Sequence, residues 1–455
     1  MTPTSCAAMS RRALVALVAA GTLGAAGSAA AQQPPPQTTS RQPTSPATQE
    51  PTVTLAQAVE LAQQHSPALA QRLGAVTTSR SAERVQIGSF LPNLSFSSGA
   101  SLASTERFNP QTNTTVSGSS DSYSAGLSAS VDLFTAGRRG AQLRQARAST
   151  DAALASVIEQ RFAVALQAKQ SFFDVRRADE LIRVAEARVT RAQQSEEAAQ
   201  RRMQVGSGTR SDVLRARLEA NQARQALLQA QSQRRAATYA LGAVIGADGP
   251  VAAQPGEEPG PADLALSDAE LVELVEQQSP AVQTAEADVA ASDAGLRSAR
   301  TQYFPTLRAS GGYDWFNQDA SFNGGRTSWS TRLSLSYPLF NGFGREDAVQ
   351  RASVQANVSR IQLDASRRQA RADLEGVLTS LRLAEEQIVL AAEAVDVAAE
   401  DLRVVEERYR LGAATSIDLL QSQTALVEAE QALVNARYDY LIARAQLEAL
   451  VGREL

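Results

Sequence analysis

Between Leu381 and Tyr409 apolar residues return in alternating steps of three and four: Leu381, Ala384, Ile388, Ala391, Val395, Ala398, Leu402, Val405 and Tyr409. That is a heptad seam, and it predicts one long helix packed along its length. A second, patchier stripe of Leu383, Leu390, Ala394, Val397, Val404 and Leu411 runs roughly opposite the first. A two-stranded coiled coil needs one stripe, whereas a closed palisade of helices needs both. The segment from Arg138 to Val205 would span about 100 Å as a single helix, against the ~30 Å of a compact domain. The pattern therefore predicts a long tube of helices.

Four shorter segments alternate with period two instead. In 123–133 the odd positions Tyr123, Ala125, Leu127, Ala129, Val131 and Leu133 are apolar, and Ser124, Ser128, Ser130 and Asp132 lie between them. In 328–339 Trp329, Leu333, Leu335, Tyr337 and Leu339 alternate with Ser330, Arg332, Ser334 and Ser336. Segments 93–104 and 306–316 follow the same rule with more glycine. Each is about the 9–11 residues of a tilted membrane strand, with polar loops expected over 105–122 and 316–328. One alternative is a soluble sheet with one wet face. The flanking aromatics favour a membrane: Tyr123, Trp315 and Trp329 stand at one end, and Phe90, Phe134, Tyr303, Phe304 and Phe340 at the other, like two interfacial girdles. Arg308, Asp132, Asp314 and Arg332 fall on the polar faces and would line a barrel interior. Four strands cannot close a barrel, and lipid forbids an open edge, so several copies must share one.

The chain also repeats itself. "LAQAVELAQQHSPAL" (55–69) is echoed by "LSDAELVELVEQQSPAV" (266–282), and "FLPNL" (90–94) by "YFPTL" (303–307), at an offset of 213. Beyond the strands the offset becomes 206: "RRMQVGSGTRSDVL" (201–214) matches "ERYRLGAATSIDLL" (407–420), with Gly206 on Gly412, Thr209 on Thr415 and Asp212 on Asp418. Glycine ends one helix there and threonine caps the next. Two such breaks at matching places suggest a working part. The halves, 54–247 and 266–455, are joined by a proline- and glycine-rich seam, 248–265.

Composition adds exclusions. A net charge of -4 over 455 residues gives a nucleic-acid partner no electrostatic support. Residues 1–31 read as an export signal, with Arg11 and Arg12 before an apolar run and three alanines at its end, followed by a proline-rich tether over 32–53. Cleavage would remove the single cysteine, Cys6, leaving no thiol or disulfide. One histidine, His65, is too little for a metal site, so no metal or cofactor is expected. No nucleophile elbow, phosphate loop or histidine-bearing catalytic cluster stands out, so no enzyme is expected.

The proline-marked strand starts, the strand exits "DLFTAGRR" (132–139) and "PLFNGFGRE" (338–346), and the paired breaks "VGSGTRSDVL" and "LGAATSIDLL" together resemble the TolC family of outer-membrane efflux proteins. The resemblance covers about 55–452. It implies a mainly α fold of two repeats, with four strands per chain forming a shared twelve-stranded barrel above a periplasmic helical tunnel. It further implies a homotrimer in outer-membrane lipid that works with a periplasmic adaptor and an inner-membrane pump or secretion ATPase. The hairpin tips at Val205, Gly206, Thr209 and Leu411, Gly412, Thr415 would be where the adaptor docks. Members that narrow the entrance place acids six and nine residues after the second glycine; here these positions hold Asp418 and Gln421. Three Asp418 side chains near one axis would repel each other and attract cations. The family latch between a tyrosine and an acid maps to Tyr409 and Asp212, while its assisting arginine is replaced by Ala414. A local capping role for Asp212 and Asp418 is the competing reading.

Overall fold

A computed structural model describes residues 50–111, 113–256, 260, 267–321 and 323–453. The export signal, the tether up to residue 49, and residues 257–259 and 261–266 of the seam lie outside the described residues.

Each half begins with a broken helix. In the first, α1 (Leu55–His65) stops where Ser66 and Pro67 follow, and α2 (Pro67–Gly88) starts on them. Proline cannot donate the hydrogen bond a continuing helix requires, but it suits a first turn. Asn93–Asn109 (β2) and Thr114–Phe134 (β3) then form a hairpin, with Thr52–Val53 (β1) preceding them in the chain. Next come the long α3 (Arg138–Gln204) and its return helix α4 (Arg210–Ile245). After β4 (Ala252–Ala253) the second half repeats the order as α5 (Asp268–Gln278), α6 (Pro280–Arg300), β5 (Thr306–Asn317), β6 (Arg326–Ser336), α7 (Gly344–Arg410) and α8 (Ser416–Val451). The long helices are 67 residues each, about 100 Å at 1.5 Å per residue.

Along the predicted seam Leu381, Ala384, Ala391, Leu402, Val405 and Tyr409 are buried, and Ile388, Val395 and Ala398 are half-buried. The second stripe is bare within one chain, with Leu383, Leu390 and Val397 more than half exposed. The return helices end on left-handed glycines, Gly246 and Gly452, which pack against the breaks at His65 and Pro280. A side chain on Gly246 would strike His65, so the repeat joins each hairpin to its own broken helix by the same close contact. The end of the tether is tied down too: β1 pairs in parallel with β4, and Glu50 meets Arg234 at 2.9 Å.

The four long strands form one antiparallel sheet in the order β2-β3-β5-β6. Its register puts Phe96, Leu127, Tyr313 and Trp329 in one row across all four strands. Leu94, Ala129 and Gly311 form the adjacent row on that face, and Val131, Ala309 and Leu333 the next. Side chains alternate across a pleated strand, so Ser128, Gly312 and Ser330 share the opposite, polar face. A bulge between Asp132 and Phe134 brings Phe134 opposite Leu307, moving it onto the apolar side.

The strands depart from expectation at their ends. The first hairpin runs to Asn109 and resumes at Thr114, so most of the loop expected over 105–122 is strand. Backbone pairing runs without a break there, from Ser101 opposite Ser122 to Asn109 opposite Thr114. In the second hairpin β6 begins at Arg326, two residues early, and stops at Ser336 instead of 339. Pro338 supplies no N–H for a ladder there.

Candidate functional site

The two hairpin tips lie at the ends of the long helices, built by the same backbone device. At the first, Ser207 N–H bonds Arg202 O at 2.9 Å and Gly206 N–H bonds Met203 O at 3.1 Å. At the second, Ala413 bonds Arg408 at 2.8 Å and Gly412 bonds Tyr409 at 3.1 Å. Both are Schellman closures, which require the residue after the C-cap to be left-handed. Gly206 and Gly412 supply φ of 79° and 76°. A Cβ at either would meet nothing within 4 Å, so the backbone angle alone demands glycine. The C-cap residues Val205 and Leu411 are 78% and 83% exposed, leaving an apolar side chain uncovered at each tip.

The following helices start with matching capping boxes. Asp212 N–H donates to Thr209 Oγ1 at 3.2 Å, and Thr209 N–H donates to Asp212 Oδ2 at 3.1 Å. Thr415 and Asp418 repeat this at 3.2 and 2.8 Å. The local role of both acids is therefore present. Hydrogen bonds to the ionised form hold both carboxyls below the ordinary aspartate value; for Asp212 the largest contribution comes from Ser416, for Asp418 from the Thr415 backbone.

Beyond capping the two acids diverge. Asp212 is partly covered, and its second oxygen accepts from Ser416 Oγ at 2.6 Å, a bond between the two hairpins. Asp418 is exposed. Tyr409 is buried; the Arg202 guanidinium sits 4.4 Å from its ring centroid and also donates to its carbonyl. Tyr409, Asp212 and Ser416 line one small cavity of about 30 Å³. The sequence resemblance implies Tyr409 joined to Asp212; among the described residues the hairpins are joined at the tips by Ser416 to Asp212 and by Arg202 to Tyr409. Ala414 packs on the cluster of Leu402, Val405, Tyr409, Leu419 and Leu426, a small apolar contact where the family pattern has a charge. Gln421 is exposed.

Ser416 and Arg202 escaped the sequence reading. Repeat comparison carries a signal for each: Arg202 matches Arg408 at the 206 offset, and Ser416 stands where the first tip has Arg210.

Further up, paired side chains zip the hairpins together. Gln423 donates to Ser195 at 2.8 Å, Arg191 grips both oxygens of Glu430 at 3.2 and 2.9 Å, and Lys169 meets Glu448 at 2.6 Å. These contacts connect α3 to α8.

At the sheet end, the predicted interfacial aromatics divide. Trp329 is 77% exposed on the apolar row; Phe340 is also open and meets Phe343 edge-on at 5.5 Å. Tyr123 and Phe134 lie on the same face, and Trp315 is half-buried against Gly325. Where strands give way to long helices, Arg139 stacks 5.0 Å from Phe90 and Arg345 5.0 Å from Tyr303, one pair per repeat.

A family model described as "Outer membrane efflux protein" matches residues 58–247 and 271–453, the two halves of the repeat. The chain belongs to that family. It is 29% identical to Protein CyaE of Bordetella pertussis over 398 residues, 85% of this chain and 81% of that one. It is 25% identical to the probable efflux pump outer membrane protein TtgC of Pseudomonas putida over 316 residues, 68% of this chain and 62% of TtgC. Among solved structures, VceC of Vibrio cholerae superposes with a TM-score of 0.73 at 20% identity, covering 88% of this chain and 96% of that one. The CmeC outer membrane channel of Campylobacter jejuni gives 0.76 at 17%, covering 88% and 85%. The fold is TolC-like, and the protein is an outer-membrane one that extends into the periplasm.

Proposed function

We propose that this protein is the outer-membrane exit duct of a tripartite efflux or type I secretion system, with a periplasmic adaptor docking on its tips. The observation that carries the reading is the four-stranded sheet: a continuous apolar row from Phe96 to Trp329, with β2 and β6 as open edges. Unpaired backbone groups cannot face lipid, so the edges must be closed by other copies. Eight strands would leave an interior filled with side chains, whereas three copies give twelve strands and room for a lumen. A homotrimer follows, with repeats 54–247 and 266–455 alternating around it and the seam 248–265 between them. Residues 1–31 would direct export and 32–53 lead into the body.

The exposed Val205 and Leu411 give the adaptor an apolar foothold at each tip, and the glycine closures fix their position. An inner-membrane pump or secretion ATPase would supply the energy. The relative named as an efflux pump outer membrane protein supports a pump partner. Asp418 and the cluster of Asp212, Ser416, Arg202 and Tyr409 would set the resting width of the mouth.

The test is fractionation followed by reconstitution. The protein should leave membranes only with detergent, from the outer-membrane fraction, as a trimer that conducts ions in planar bilayers. Recovery as a soluble monomer would sink the reading.

A further inference from the structure

Within one chain the hairpins meet through α3 and α8, and the internal repeat states where the same surfaces recur. On α3, Arg177 pairs with Asp439 at 2.8 Å, Arg191 with Glu430 at 2.9 Å, and Ser195 accepts from Gln423 at 2.8 Å. The 206 offset carries these α3 positions to Leu383, Val397 and Asp401 of α7, and the α8 positions to Gln233, Arg224 and Arg217 of α4. Both faces are uncovered: Leu383 and Val397 are exposed on α7, and Leu214, Leu218 and Leu228 on α4. Apolar stripes of this size on a rigid helix call for a partner.

The charges say which partner. Carried by the offset, the hydrogen bond between Ser195 and Gln423 becomes the opposite-charge pair Asp401 and Arg217. The tip bond between Ser416 and Asp212 becomes Arg210 and Asp418. Two neutral-donor contacts inside the chain thus turn into ion pairs when the second repeat of one copy meets the first repeat of another. All four charged side chains are exposed, and Arg210 and Arg217 have no ion pair among the described residues. The upper positions, Leu383 with Gln233 and Val397 with Arg224, carry no such pair, so the electrostatic match is concentrated toward the tips.

We propose that α7 docks on α4 of a second copy as α3 docks on α8 within one chain, and that Arg210 of that copy pairs with Asp418 at the mouth. The proposal rests on the exit-duct reading, which requires several copies around one axis. It changes what Asp418 does there. The carboxylates do not confront one another across the opening; each is held to the side by a guanidinium, and the ring is latched between copies at the same level where Ser416 and Asp212 latch it within a copy. Charged hydrogen-bonded pairs of this kind are directional as well as attractive.

Disulfide trapping tests the pairing. In a Cys6→Ser background the chain has no cysteine. Arg210→Cys combined with Asp418→Cys, oxidised in native outer membranes and run without reductant, should give dimer and trimer bands, while either single variant stays monomeric. Dimers from Asp418→Cys alone would place the three side chains against each other and overturn the pairing. Monomer bands alone from the double variant, in a preparation whose native mass is that of a trimer, would overturn the pairing and leave the duct standing. A native mass of one chain would overturn both. Conductance gives a second readout: Arg210→Asp and Asp418→Arg should each raise resting conductance severalfold, and the charge-exchanged double variant should return it to within about twofold of the parent. Equal conductance in all four proteins would refute the latch.

Discussion

Removing the Ser416 hydroxyl isolates the in-chain latch from everything else at the tip. Ser416 Oγ donates to Asp212 at 2.6 Å, whereas the capping box at Thr209 uses the other carboxylate oxygen and the backbone. Ser416→Ala therefore deletes one bond between hairpins and leaves helix α4 capped. A hydrogen bond to an ionised acceptor contributes about 1.5–3 kcal/mol where it is shielded from water. This one is half-shielded, so about 1–2 kcal/mol is a fair range, and each 1.4 kcal/mol is tenfold in an equilibrium constant. The closed mouth should lose about 5- to 30-fold in its preference over open states, read as a rise in open probability in planar bilayers. The pH dependence follows from the depressed Asp212 carboxyl. A folded pKa below the unfolded value means the stabilisation is present above about pH 4 and is lost as pH falls through the folded value. The parent should thus stay closed until pH drops below about 4. The alanine variant lacks the bond that makes this carboxyl more acidic when the hairpins are joined, so its acid-dependent opening should flatten. Unchanged open probability together with an unchanged acid profile would refute the latch.

Three further outcomes follow from other parts of the molecule. Asp418→Ala should raise resting conductance severalfold in planar bilayers; unchanged conductance would count against any role for Asp418 at the mouth. Leu333→Arg puts a charge on the exposed apolar face of β6, costing about 2–4 kcal/mol if it lies at mid-bilayer, and should cut the yield of outer-membrane trimer on gels, while Ser334→Arg on the opposite face should assemble normally. Gly412→Val forces a branched residue into a left-handed angle at a cost above the ~1–2 kcal/mol of an ordinary side chain, and amide exchange at 409–415 should quicken while the thermal midpoint of the body stays put.

The long helices were legible because a heptad seam has no other use, and the buried set from Leu381 to Tyr409 is that seam. Strand interiors were legible for the same kind of reason: Leu127, Tyr313 and Trp329 alternate with small polar residues. Strand ends were not. The polar stretch before Tyr123 has no apolar face to give a period, so only its backbone pairing with 101–109 reveals it as strand. The tips were found because glycine, threonine and aspartate recur at one offset. Ser416 shows in the repeat only as a difference, since its counterpart is Arg210. Arg202 was missed because an arginine on a long helix most often lies in water, and only packing places it over Tyr409.

Duplication explains why both tips carry an acid three residues after a threonine: each helix start needs the same capping box, whatever the channel does. Capping cannot explain why the residues around those boxes diverge. Tyr409 faces Arg202, but its own counterpart is Met203; Ser416 faces Asp212, but its counterpart is Arg210. A repeated chain that closes a ring has two kinds of joint, one inside the chain and one between copies. Matching residues would make them equal. At the tips the inner joint is neutral-to-charged and partly sheltered, while the residues assigned to the outer joint are a fully charged pair in water, which salt weakens more. Raising ionic strength should therefore loosen the tip contact between copies before the tip contact within a chain, and a mouth built this way opens by parting its subunits first.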